Sequence, residues 1–140
     1  MLIPHVVQTE ADKVFINIYN SQAVALSDGD LVAWNTSSPD GVKATQPVTA
    51  NLGLVIGVAD GTIAAAAYGL AQAYGYKAAI LMTGDSTTAM AAGDAIIPVD
   101  QVDYAAWSTA GTGLSGFLYT AEVVASSAAA TTYKGFIRCM

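Results

Sequence analysis

The sequence predicts an all-β protein: one small antiparallel barrel or sandwich behind an extended N-terminal arm. Three observations predict it. Apolar and polar residues alternate at period two in short runs. Those runs are rich in β-branched and aromatic residues and recur roughly every ten residues. Turn signals built on glycine, proline and aspartate separate them. Residues 1–13 are read as the arm and 14–140 as a single β domain, since 140 residues fit one core.

The arm begins "MLIPHVVQTEAD". Pro4 keeps Ile3 extended, and Leu2, Ile3, Val6 and Val7 are apolar residues with no strand partner nearby in sequence. The segment lacks the basic stretch of a secretory signal, and Glu10 and Asp12 come too early for one. The first strand is "VFINIY" (14–19), with Val14, Ile16 and Ile18 on one face and Phe15, Asn17 and Tyr19 on the other. The second is "DLVAW" (30–34). Pro39-Asp40-Gly41 then forms a turn: proline presets φ, aspartate bonds its own backbone, and glycine takes positive φ. "LGLVIGVAD" (52–60) is a glycine-punctuated strand ended by Asp60-Gly61.

The stretch "TIAAAAYGLAQAYGY" (62–76) is ambiguous. Four alanines at 64–67 favour helix, but Gly69 and Gly75 each cost about 1 kcal/mol inside one. Residues 64–68 are read as a loop or single helical turn, and 69–82 as a strand with a glycine bend or bulge. "AIIPV" (95–99) is a short strand, with Pro98 placing it at an edge or bend. "FLYTAEVV" (117–124) alternates, with Phe117, Tyr119, Ala121 and Val123 on one face. In "YKGFIRCM" (133–140), Lys134, Phe136 and Arg138 share one face, and Tyr133, Ile137 and Cys139 the other.

Composition restricts the function classes. Only 11% of residues are charged, against about 25% in an ordinary soluble domain. Five basic and eleven acidic side chains are spread over a surface of roughly 6,800 Å². Two explanations stay open: a surface of Ser, Thr, Asn and Ala, or a surface that lies against other subunits. The net charge of −6 argues against nucleic acid, which needs a basic face. The longest charge-free run, Tyr104 to Ala121, is broken by Gly111, Gly113 and Gly116 and does not read as a membrane span. A single cysteine, Cys139, excludes an internal disulfide and is read as packing.

The stretch "SDGDL" (27–31) poses the sharpest chemical question. A calcium loop needs oxygen ligands at alternate positions over about twelve residues. After Asp28 and Asp30 come Leu31, Val32, Ala33 and Trp34, which offer no carboxylate. A partial echo, Ala92-Gly93-Asp94, precedes the apolar run at 95–99 and lacks the first aspartate. A turn can lose Asp28 and a metal loop cannot. Asp28, Gly29, Asp30, Gly93 and Asp94 are therefore read as turn residues, with glycine at positive φ and aspartate capping the backbone. The echo alone is too short to establish a duplication.

No metal site and no cofactor are expected. One histidine and one cysteine cannot build a zinc site unaided. "GTGLSG" (111–116) lacks the lysine and following helix of a phosphate loop. An enzymatic reading would rest on His5 as the only standard base and on Asp100 and Asp103 as an acid pair. The aromatics Trp34, Tyr68, Tyr74, Tyr76, Tyr104 and Trp107 suit a core or a subunit interface, or else a sugar-binding face.

The whole-chain pattern resembles the small decoration, or cement, proteins of tailed-bacteriophage capsids. The resemblance is carried by "NSQAVALSDGDLVAWN" (20–35), "GVKATQPVTANLGLVIGVADGTIAAAAYGLAQAYGY" (41–76), "TTAMAAGDAIIPV" (87–99) and "KGFIRCM" (134–140). It covers about residues 14–140. It implies a β-tulip or small barrel that binds the exterior of an expanded capsid, with the major capsid protein as partner. It implies a homo-oligomer, most commonly a trimer, made in the host cytoplasm and carried on the virion. It also implies that the arm, with Leu2, Ile3, Pro4, Val6 and Val7, contacts the shell. No catalytic residues are implied. A carbohydrate- or receptor-binding module of a virion or cell surface, using the Tyr/Trp set, is the competing reading.

Overall fold

The computed structural model describes residues 12–84, 88–99, 102–107, 118–127 and 129–139. The arm residues Leu2, Ile3, Pro4, Val6 and Val7 lie outside these. All-β is what is found. Nine strands of the described residues form one hydrogen-bonded sheet: β1 (Val14–Asn20), β2 (Leu31–Trp34), β3 (Lys43–Thr45), β4 (Val55–Asp60), β5 (Tyr68–Thr83), β6 (Ala95–Pro98), β7 (Ala105–Trp107), β8 (Leu118–Thr120) and β9 (Thr131–Arg138).

The sheet closes on itself twice. The pairings β1–β3, β3–β2, β2–β4, β4–β5 and β5–β1 make one five-membered ring. The pairings β5–β7, β7–β6, β6–β8, β8–β9 and β9–β5 make a second. The two share β5, which is 16 residues long. Beyond the expected all-β barrel or sandwich, the sheet has two rings, and each contains one parallel pair, β1–β3 and β5–β7.

The rings repeat one connectivity. In each, the first strand runs parallel to the third, the second lies between the third and fourth, and the fifth returns to the first. The turns repeat too. Gly29 N–H donates to the Ala59 carbonyl (3.2 Å) and Ala59 N–H to that of Asp30 (2.8 Å), while Leu26 and Ile63 exchange two bonds. In the second half Gly93 donates to Thr120 (2.8 Å), Thr120 to Asp94 (3.0 Å), and Met90 and Val124 exchange two. The Gly-Asp echo is thus the visible fragment of a structural duplication.

Two cores follow. Ile18, Leu26, Val32, Ala44, Ile56, Ala59, Ile63 and Ala71 fill the first ring. Met82, Met90, Ile96, Leu118, Val124 and Ile137 fill the second, joined there by Leu31, Ala33, Val55 and Val58. Strands β2 and β4 therefore bury both faces, one toward each core. That is why "LVA" and "VIGVA" are continuous apolar runs rather than alternating ones. Each buried Leu, Ile or Val contributes about 1.5–3 kcal/mol.

Local chemistry explains the departures from the expected strands. Residues 52–54 form a single 3-10 turn, closed by Leu54 N–H on the Asn51 carbonyl, so β4 starts only at Val55. Gly57 (φ 154°) sits where β4 bulges against β2, and a Cβ there would collide with the Gln72 carbonyl of β5. The alanine run makes a turn, with Ala66 at φ 54°, not a helix. The expected strand 117–124 ends at Thr120, because the chain bends there and carries Val124 across to pair with Met90. Pro98 ends β6 beyond the point where β8 pairs with that strand, so its missing N–H costs no bond there.

Candidate interaction surface

The SDGD turn lies at the seam between the rings. Gly29 (φ 95°) accepts Leu81 N–H at its carbonyl (2.9 Å), and Leu31 N–H donates to the Asp103 carbonyl (2.6 Å). Asp30 Oδ2 accepts Ser27 N–H at 2.6 Å and closes the turn, with Asp30 only 4% exposed. Burial pushes its carboxyl up to about 6, the Ser27 N–H opposes this, and the nearby Asp103 and Asp28 charges add to the rise. Asp28 points elsewhere: its Oδ1 accepts Gly61 N–H (3.0 Å) and the Lys77 ammonium (2.9 Å). Burial is the largest single influence on the Asp28 carboxyl and raises it, but the Gly61 N–H and the Lys77 ammonium together outweigh it and hold the carboxyl below the ordinary range. Lys77 also reaches Asp60 Oδ1 at 2.9 Å, and its own side chain is 7% exposed. The two aspartates of the motif thus serve different partners. In the echo, Asp94 Oδ2 accepts Ala91 N–H at 2.8 Å, which is the bond that Asp30 makes, and Gly93 has φ 92°.

The outer face of the β1–β5 ladder carries no charge and several large apolar side chains. Residues directly opposite across the pair are Phe15 and Gln72, Asn17 and Leu70, Tyr19 and Tyr68. Such pairs project to one face. Ile16 and Ile18 turn inward, as alternation predicts. That leaves Phe15 at 41%, Leu70 at 45% and Tyr68 at 66% exposure on the other side. Tyr19 and Tyr68 meet edge to face, ring centroids 5.1 Å apart. Beside them Asn20, fully buried, donates through Nδ2 to the carbonyls of Val24, Ile63 and Ala64 and pins two loops to the ring. Val24 and the alanine turn at 64–66 are exposed.

His5 and Asp100 lie outside the described residues, and Asp103 faces the seam. Trp107 ends β7, and its side chain is likewise outside the described residues. Trp34 packs against the first core. Cys139 is half-buried, and burial pushes its thiol up to about 12, so it stays protonated. Sequence reasoning missed Lys77. The available signal was a lone lysine inside the apolar strand "YGYKAAILM", which needs a carboxylate partner if buried. No model of a known protein family matches the chain, and no curated protein is similar to it.

Proposed function

We propose that this chain is a structural protein of a tailed-phage virion that docks on the outer surface of the capsid and bridges neighbouring capsomers. The observation that carries the reading is the uncharged strip of exposed Phe15, Tyr68 and Leu70, with half-buried Tyr19 beside them, on one pair of strands. Large apolar side chains exposed together on a chain with few charges mark a surface meant for protein contact. A contact of about 1,600 Å² in total suffices for specific attachment. Repeated at every junction, it resists outward pressure on the shell by raising the barrier to capsomer separation. A homo-oligomer, with a trimer favoured, matches the resemblance to decoration proteins.

The test is co-sedimentation of the purified chain with expanded shells that lack it. Retention that persists at 1 M salt, together with a higher temperature of shell breakage, is expected, because apolar contacts are not screened. Leu70→Asp with Tyr68→Asp should abolish retention. If shells retain none of the wild-type chain, the reading fails. The 66% exposure of Tyr68 favours one second reading, carbohydrate binding by ring stacking. Glycan-array retention lost in Tyr68→Ala would establish that alternative.

A further inference from the structure

Where the described chain begins, a groove opens over the middle of β5. It has a volume of about 480 Å³, and Asp12, Tyr74, Tyr76, Tyr119, Phe136 and Arg138 line it. A second depression of about 770 Å³ adjoins it and shares Asp12, Tyr74 and Arg138. Across the floor, Tyr119 pairs with Phe136, and Phe136 with Tyr76, so three aromatic rings stand in a row on β8, β9 and β5. Tyr76 and Phe136 touch edge to face at 5.8 Å between centroids, yet Phe136 stays half exposed. Arg138 has no ion-pair partner among the described residues.

Gly75 explains how the chain enters. It has φ 100°, and a Cβ there would collide with the Asp12 carbonyl. The chain therefore crosses β5 at Gly75 in direct contact and emerges at the wall of the groove. Eleven residues precede Asp12, "MLIPHVVQTEA". Extended, they span roughly 36–40 Å. The aromatic row crosses three strands, about 10 Å. Val6 and Val7 are six and five residues from Asp12, far enough to reach the whole row, while Glu10, the only acid in the segment, is two residues from Asp12, which lines the groove together with Arg138.

We infer that this groove is the seat of the protein's own N-terminal segment in the free chain, with Val6 and Val7 on Phe136 and Tyr119 and Glu10 paired to Arg138. Three features select the segment over other occupants. It starts at the groove wall, so its effective concentration there is about millimolar or higher. Its apolar residues match an aromatic floor. Its one acid matches the unpaired guanidinium. Docking on a shell then requires the segment to leave the groove, which makes the groove a competitor for the arm.

The test is NMR on the full chain, free and without shells, so its outcome is separate from that of the docking proposal. Nuclear Overhauser contacts from Val6 and Val7 methyls to the Phe136 and Tyr119 rings are expected, along with upfield ring-current shifts of those methyls. Phe136→Ser should return both methyls to unstructured shifts, and Glu10→Gln should weaken the contacts without abolishing them. Absence of the contacts in the wild-type chain overturns the inference. In a mixture of labelled and unlabelled protein, contacts seen only between different molecules would also overturn it, assigning the groove to the arm of a second copy.

Discussion

The two halves of the molecule share one turn and use it differently. Ser27-Asp28-Gly29-Asp30 and Ala91-Ala92-Gly93-Asp94 make the same aspartate-to-backbone bond, three residues back, and the same pair of bonds to the fourth strand of the ring. The first is packed under the second ring: Asp30 is buried, and a Cβ on Gly29 would lie 3.2 Å from the Ala79 carbonyl oxygen. The second faces outward, with nothing within 4 Å of a Cβ on Gly93. Only the first carries Asp28 and its buried partner Lys77. Connectivity therefore needs glycine and the capping aspartate. The additional charge belongs to the seam.

The largest effect expected from breaking this contrast is at Lys77. Lys77→Met removes the shared cation and leaves Asp28 and Asp60 without it; both carboxylates are about half exposed, so water takes up part of the loss and the cost is about 2 kcal/mol. Urea denaturation reads this directly. Ala92→Asp, which installs the missing acid on the outward turn, should stay within about 0.5 kcal/mol of wild type. Equal effects from the two would show that the seam charge has no special role.

Next come the glycines. Gly93→Ala forces an alanine into positive φ and costs about 1–2 kcal/mol. Gly29→Ala carries that strain plus the contact with the Ala79 carbonyl, so its denaturation midpoint should fall further. A Gly93→Ala midpoint at or below that of Gly29→Ala would erase the distinction between the two turns.

A separate effect is a pH dependence with opposite signs at two neighbouring acids. Asp30 is raised to about 6 in the folded chain. Its stability contribution is complete below about pH 4, near the ordinary carboxyl value, and is lost as pH rises through 6. Asp28 is lowered, so its contribution is present above that ordinary value and lost in stronger acid. Thermal midpoints of the wild type should therefore decline between pH 4 and 7, and Asp30→Asn should flatten that decline. A wild-type profile that is flat over this range would contradict the buried environment assigned to Asp30.

Much of this fold was legible in the sequence, for reasons specific to each element. β1 and β9 alternate cleanly because each has one face on a core and one in solvent. β5 was legible over nearly its whole length, although its register shifts fall at Ala73 and at Ala78-Ala79 and not at a glycine. β3 and β7 were not, since "KAT" and "AAW" are three residues long and carry no period. Their pairings are the two parallel ones that close the rings, so ring closure was invisible as well. The duplication stayed hidden because the backbone bonds repeat while the residues do not: Leu26 answers to Met90, Ala59 to Thr120 and Ile63 to Val124. At the candidate surface, alternation in "VFINIY" placed Phe15 and Tyr19 outward. Their partners Tyr68 and Leu70 required the register of β1 on β5. Lys77 and Asp28 are 49 residues apart, beyond any local signal.

The shared strand also bears on synthesis. All five members of the first ring lie between residues 14 and 74, because β1 pairs with β5 only as far as Tyr74. The first ring can therefore close while the second is still unmade, and the remainder of β5 then emerges as a ready template on which β9 and β7 assemble. Until they do, Leu31, Ala33, Val55 and Val58 face water instead of the second core. A nascent chain stalled midway would carry a folded ring with a sticky flank, the state in which this protein is most prone to aggregate.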